Sequence, residues 1–194
     1  TFKIPKEIQN VTENLEKSGF EAFIVGGCVR DLLIGKSPKD WDVTTNATPE
    51  QIQEIFPDSF YENDFGTVGV KNELTEEETL KVVEVTPYRT ETTYSDNRHP
   101  DEVKFSDKLE DDLKRRDFTM NAIAYSVSKE ELVDIYEGQQ AIKDKLIVAV
   151  GNPSERFGED ALRILRAVRF ACQHGFAISH ETMNAMGEKS ELLK

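Results

Sequence analysis

The sequence predicts an α+β fold: a mixed β-sheet carrying helices, followed by the start of an all-helical region. Three observations predict it. Short apolar strand-like runs alternate with short helical patterns up to about residue 150. The run Gly151-Asn152-Pro153-Ser154 then breaks the chain. Beyond the break only helical spacing is found. The expected division is a sheet-bearing unit over 1–150 and a helical unit that begins within 151–194.

The elements are justified in order. Pro5 suits the first turn of a helix, and Ile8, Val11 and Leu15 repeat at helical spacing before Gly19. Residues 21–25 read as a buried strand ended by Gly26-Gly27, and 28–34 as a short helix closed by Gly35. Residues 40–45 read as a second strand. Thr48 and Pro49 supply an N-cap and a first helical residue for a helix reaching Phe56. Residues 66–70 and 80–86 read as a hairpin joined by an acidic link. The polar stretch 87–102 is expected to be a long loop, and loops of that length commonly serve function. Helical turns are expected over 109–116 and 120–124, strands over 132–136 and 146–150. One long helix is expected from about Glu155 to His174, ended by Gly175, and another from near Ser179. The chain stops inside this helical region, which predicts a piece of a longer protein.

Composition excludes several classes. No stretch approaches the ~18 apolar residues of a membrane span, and the N-terminus lacks a signal-peptide core. Two cysteines, Cys28 and Cys172, are too few for a disulfide framework or a zinc cluster. A cytoplasmic globular protein without a membrane partner is expected; nothing indicates its oligomeric state. The net charge of −13 argues at first against nucleic acid. Its distribution changes that reading. Residues 1–112 hold 12 basic and 25 acidic side chains, whereas residues 113–174 hold 10 and 9. The second half is rich in arginine, which suits phosphates and base edges.

Five segments carry candidate chemistry. In a strand, Asp40 and Asp42 would point to one face. Two carboxylates there repel unless a cation sits between them, and Mg2+ shared with a nucleoside triphosphate is the usual answer in phosphoryl transfer. Gly26 and Gly27 between strand and helix would let backbone N–H groups approach a phosphate, with Arg30 in reach. Glu84, an acid among β-branched residues, is either a third carboxylate of the cluster or an exposed residue. In Asp112-Leu-Lys-Arg-Arg-Asp117-Phe-Thr-Met-Asn121, three cations lie between two acids. Arg115 or Arg116 is a candidate to hold a triphosphate, Asp117 to orient an arginine, and Asn121 to bond a sugar or the backbone. A surface helix with i,i+4 ion pairs would read the same way. Last, Asp160, Arg163, Arg166 and Arg169 step by three. Each step turns about 300°, so they wind around nearly half a helix, with Leu162, Leu165 and Val168 among the residues expected to be buried.

In this order, Val25-Gly-Gly-Cys-Val-Arg-Asp-Leu-Leu-Ile-Gly35, Asp40-Trp-Asp42, Arg115-Arg-Asp-Phe-Thr-Met-Asn-Ala122 and Glu159-Asp-Ala-Leu-Arg-Ile-Leu-Arg-Ala-Val-Arg-Phe170 resemble the class II tRNA nucleotidyltransferase and bacterial poly(A) polymerase superfamily. The archaeal class I type is not what they resemble. Glu84 to Arg89 followed by Tyr94 to Pro100 is similar to the flexible-loop region of CCA-adding members from Gram-positive bacteria. The resemblance implies a polymerase-β-like nucleotidyltransferase head and a helical neck, with body and tail beyond Lys194. It implies that Gly26, Gly27 and Arg30 hold the triphosphate, that Asp40 and Asp42 bind the catalytic Mg2+ ions of a two-metal mechanism, and that Arg116 contacts nucleotide. Asp160, Arg163, Arg166 and Arg169 would then read the base and support the nucleotide. The implied activity is addition of CCA to the 3′ end of tRNA from CTP and ATP. CC-adding, A-adding and poly(A)-polymerase specialists are alternatives within the superfamily, and a non-catalytic nucleotide- or RNA-binding module is an alternative outside it.

The base choice has a chemical rationale. Cytosine and adenine each present an exocyclic amine beside an unprotonated ring nitrogen. An Asp accepts from the first and an Arg donates to the second. Asp160 with Arg163 makes that pattern, and it would leave unpaired groups against uracil or guanine.

Overall fold

The computed structural model describes residues 2–62, 65–92 and 102–194. Helix α1 (Lys6–Lys17) buries Ile8, Val11 and Leu15, as its spacing requires. Strand β1 (Ala22–Val25) leads into α2 (Gly27–Leu33), and β2 (Asp42–Thr45) into α3 (Pro49–Ile55). Thr48 and Gln51 cap α3 reciprocally, each side chain bonding the other's backbone. Strands β3 (Ser59–Tyr61), β4 (Val68–Lys71), β5 (Val82–Pro87), β6 (Arg89–Thr92) and β7 (Glu102–Phe105) follow. Then come α4 (Leu109–Lys114), β8 (Ala124–Ser126), β9 (Glu131–Val133), α5 (Gly138–Lys143) and β10 (Leu146–Ile147). The chain continues with α6 (Pro153–Glu159), α7 (Leu162–His174), β11 (Ala177–Ile178) and α8 (His180–Lys189).

Seven strands form one mixed sheet in the order β3-β4-β5-β2-β1-β8-β9. Only the β2–β5 pair is parallel; the other neighbours in this sheet run antiparallel. One face buries Ile24, Val43, Val83 and Val85 with residues of α1 and α3. A smaller cluster of Val25, Tyr88, Leu109, Leu113 and Ala124 forms beside α4. The helical end has its own core, in which Phe118, Met120, Ile147, Phe157, Ile164, Ala167 and Phe170 meet. The α+β expectation holds.

Four local readings are corrected. Residues 120–124 are not helical throughout: a single turn over Thr119–Asn121 gives way to β8, because Ala124 and Tyr125 pair with β1. The ends of the expected 87–102 loop pair as β6 and β7; residues 93–101, with the whole loop-like segment Tyr94 to Pro100, lie outside the described residues. The long helix is two helices. Asp160 has an extended backbone (φ −138°, ψ 103°), and its Oδ1 accepts from the Leu162 N–H at 2.9 Å, so it caps the start of α7. On α7 the buried side chains are Arg163, Ile164, Ala167 and Phe170, whereas Leu162, Leu165 and Val168 are 38–54% exposed. The helix is apolar at nearly every position that is not arginine, so periodicity alone did not mark its inner face.

Candidate active site

The site grows from the place where β1 leaves the sheet. Val25 pairs with Asp42, and Gly26, at φ +80°, turns the chain into α2. That φ and the space around it suit glycine: a Cβ there would stand 3.0 Å from Arg116 Nη1 and 3.6 Å from Asp42 Oδ2. The bend also ends β2. With β1 gone, nothing on that side pairs Trp41 or Asp40, so Asp40 lies in the bend before the strand and is exposed, while Asp42 is half-buried on it. The expected strand pair of acids is thus a strand acid and a loop acid. Both still line the same cleft. Across the parallel pairing Asp42 is beside Glu84, which puts the two on one face of adjacent strands.

The cleft encloses about 930 Å³. Its walls bring together Gly26, Gly27, Arg30, Asp40, Asp42, Glu84, Arg116, Asp160, Arg163, Arg166 and Arg169, residues separated by up to 143 positions in sequence. Arg115, Asp117 and Asn121 also line it.

An ion network holds the arginines. Asp112 is fully buried at the end of α4. Its Oδ1 accepts from Arg115 (2.7 Å from Nη2) and its Oδ2 from Arg116 Nη2 at 2.9 Å. Glu91 on β6 also pairs with Arg115, at 3.3 Å. Burial pushes the Asp112 carboxyl up, but the two guanidiniums outweigh it and hold the group below the usual carboxylate value. Asp117 accepts from Arg166 Nε at 2.7 Å and from Asn121 Nδ2 at 3.1 Å. Asn121 in turn accepts from Arg30 Nη1 at 2.8 Å, so its side chain serves an arginine rather than the backbone. Arg163 donates to Glu159 and to the carbonyls of Arg156 and Arg115, and its Nε stands 4.0 Å from Asp160 Oδ2. Arg30, Arg166 and Arg169 ring one aromatic side chain, Phe170, at 5.3, 5.3 and 4.9 Å from its centroid.

The carboxylates at the sheet end are crowded. Burial pushes the Asp42 carboxyl up; Arg116 opposes this, while Asp40 and Asp112 add to the rise. Glu84 is exposed on β5 where it lines the cleft, and partial desolvation there raises its carboxyl, with Asp42, Glu62 and Asp40 adding repulsion. Among the described residues no three His, Cys, Asp or Glu side chains converge into a ready-made metal cage. Magnesium seldom uses one: it takes one or two carboxylates and completes its shell with phosphates and water. Hard oxygen donors that repel one another beside an arginine-lined cleft fit that ion.

Several residues of the site carried little signal in the sequence. Asp112 had the i,i+3 and i,i+4 spacing to Arg115 and Arg116, which reads equally as a surface ladder. Phe170 looked like core, and it is 5% exposed, yet three guanidiniums rest on it. Lys36, Lys39 and His174 line the cleft from a loop and a helix end and belong to no spacing pattern.

Comparison with known proteins agrees with this architecture. A family described as the poly A polymerase head domain matches residues 22–148. The CCA-adding enzyme of Geobacillus kaustophilus is 46% identical over 184 residues, which cover 94% of this chain and 44% of the relative. That of Listeria monocytogenes is 49% identical over 185 residues, covering 95% and 45%. The chain therefore spans less than half the length of these curated relatives. Among solved structures, the Bacillus stearothermophilus CCA-adding enzyme in complex with CTP superposes with a TM-score of 0.85 at 38% identity, over 98% of this chain and 45% of that one. A tRNA nucleotidyltransferase complexed with a primer tRNA and an incoming ATP analogue gives 0.74 at 30%, over 94% and 50%. The acids at the glycine bend and a family match over residues 22–148, which hold all seven strands of the main sheet, lead to one assignment: this chain belongs to the poly A polymerase head domain family.

Proposed function

We propose that this chain is the catalytic and nucleotide-binding part of a CCA-adding tRNA nucleotidyltransferase, with a head over 1–150 and the start of a neck over 151–194. The observation that carries the reading is the convergence of Asp40, Asp42 and the Gly26 bend with Arg30, Arg116 and the α7 arginines around one cleft. Relatives at 44–49% identity, named CCA-adding enzyme, support it over the CC-adding, A-adding and poly(A)-polymerase alternatives. Paired acids at the sheet end favour catalysis over a plain binding module, which has no need to crowd carboxylates.

The transfer forms a bond between the RNA 3′-oxygen and the α-phosphorus and releases pyrophosphate. The chain's own contribution is positioning and charge. Gly26 and Gly27 let the nucleotide approach the backbone, and Arg30 and Arg116 hold its phosphates. Asp117 and Asn121 keep Arg166 and Arg30 in place. Asp40 and Asp42 would hold Mg2+, with Glu84 a candidate third ligand; bound there, the ion would supply Lewis-acid stabilisation of phosphate charge and a more acidic 3′-hydroxyl. Asp160 accepts from the exocyclic amine of cytosine or adenine, and Arg163 donates to the adjacent ring nitrogen.

The test is incorporation of labelled CMP and AMP into a tRNA lacking its 3′ CCA, with Mg2+ present. The chain should use CTP and ATP over UTP and GTP. Asp42→Asn should lower incorporation by at least about a hundredfold, since loss of charge stabilisation is worth several kcal/mol. Joint exchange of Asp160→Arg and Arg163→Asp should move preference toward UTP and GTP. Undiminished incorporation by Asp42→Asn would overturn the catalytic assignment, and unchanged base preference the reading of the pair.

A further inference from the structure

His174, at the last turn of α7, has no part in the chemistry above, yet it lines the cleft. Its ring stacks on Phe170 (6.1 Å between centroids, 29°) and leans on Phe176 at 5.7 Å. Both ring nitrogens are shut off from solvent and have no hydrogen-bond partner. Leaving polar atoms buried and unpaired is costly, and a hydrocarbon side chain would fill the same gap without that cost.

The charged groups around the ring explain what it can respond to. Burial holds the imidazole below its ordinary value, and Arg30 on α2 and Lys36 in the loop after it add repulsion. Asp31 opposes them, but its Oδ1 is already bound by Arg30 Nη2 at 2.7 Å. On its own helix the nearest cations, Arg166 and Arg169, sit on Phe170. An imidazolium here therefore lacks a free counter-anion, and the neutral ring prevails. An anion brought against Arg30 and Lys36 reverses that balance, because a negative charge nearby always favours the protonated form.

We propose that His174 is a proton-linked member of the site: a polyphosphate bound against Arg30 and Lys36 makes the imidazole take up a proton, and a protonated imidazole tightens polyphosphate binding in return. The two effects are equal by linkage. The inference rests on the nucleotide-binding reading of the cleft for its natural ligand, the triphosphate of CTP or ATP or the pyrophosphate released. The anion chemistry itself does not depend on that reading.

The experiment is an NMR titration of the imidazole signals of the whole chain, free and with saturating inorganic tripolyphosphate or CTP. The chain has three histidines, so the His174 signal is the one lost in His174→Leu. The expected result is a rise of the His174 midpoint by about one unit with either ligand, equivalent to about tenfold tighter binding to the protonated form. Calorimetry in buffers of different ionisation heat should show proton uptake at pH 6 that His174→Leu reduces. Should CTP bind with the His174 midpoint unmoved, the ring is only a packing plate and the inference falls, while the nucleotide reading stands. A rise with tripolyphosphate but no CTP binding upholds the inference and overturns that reading. Failure of both ligands to bind overturns both.

Discussion

At the scale of single residues, Asp112 governs the geometry of the cleft without touching its contents. Its side chain is fully buried between Arg115 and Arg116. Removing one partner of a buried ion network leaves uncompensated charge, so Asp112→Asn should cost about 3–5 kcal/mol at neutral pH. The pH dependence has a definite sign. The folded-state value lies below the unfolded one, so the stabilisation is complete above the ordinary carboxylate value near ~4 and is lost as pH falls through the lowered folded value. Urea denaturation of wild type and Asp112→Asn should thus show a gap that is constant from pH 8 to about 5 and closes in stronger acid. A gap that persists unchanged at pH 2 would show that the carboxylate's charge is not what stabilises. Cys28 gives a simpler check. It is buried, and burial together with Asp42 pushes its thiol up to about 12. Native protein should therefore react with one equivalent of a thiol reagent, at the exposed Cys172, and with a second only after unfolding.

At the scale of elements, most of the sheet was legible because its strands alternate or run apolar between clear turn residues. The acids, the glycine bend and the arginine segments were legible for a different reason: their residue types are costly to bury without a ligand or a partner. Legibility failed where tertiary pairing chose between equal local options. Nothing local says that Ala124 should join β1, or that residues 89–92 and 102–105 should pair. On α7 both Leu162-Leu165-Val168 and Ile164-Ala167-Phe170 are apolar stripes, and only the position of Phe118 and Phe157 decides between them. That choice is measurable. Leu165→Ser, at a 54% exposed position, should change stability by less than about 0.5 kcal/mol, whereas Phe170→Ala should cost about 3–5. Equal losses would mean the helix is turned the other way. Helix α5 offers a steric counterpart: a Cβ on Gly138 would meet the Thr119 carbonyl oxygen at 2.2 Å. Gly138→Ala should therefore destabilise by about 1–3 kcal/mol, through overpacking rather than any loss of contact, and thermal unfolding would register it.

At the scale of the whole molecule, the distribution of charge matters more than its total. The chain carries −13, yet the cleft is lined by eight cationic side chains and six carboxylates. Most of those cations are already committed: Arg30, Arg115, Arg116, Arg163 and Arg166 are all in ion pairs. Among the described residues Lys36, Lys39 and Arg169 line the cleft without one. A single strand of RNA entering the cleft would then exchange its counter-ions mainly against these three. Each neutralised phosphate contributes about −0.7 to the slope of log affinity against log salt, so the slope for a tRNA acceptor end should be about −2. Between 50 and 200 mM salt that amounts to about a fifteenfold loss of affinity, far less than for a protein with a broad basic face. Fluorescence anisotropy with labelled tRNA across that range checks it. Joint replacement of Lys36, Lys39 and Arg169 by alanine should flatten the slope toward zero. A slope several units steeper than −2, unaffected by those replacements, would place the RNA on some other surface of the chain and not in the arginine-lined cleft.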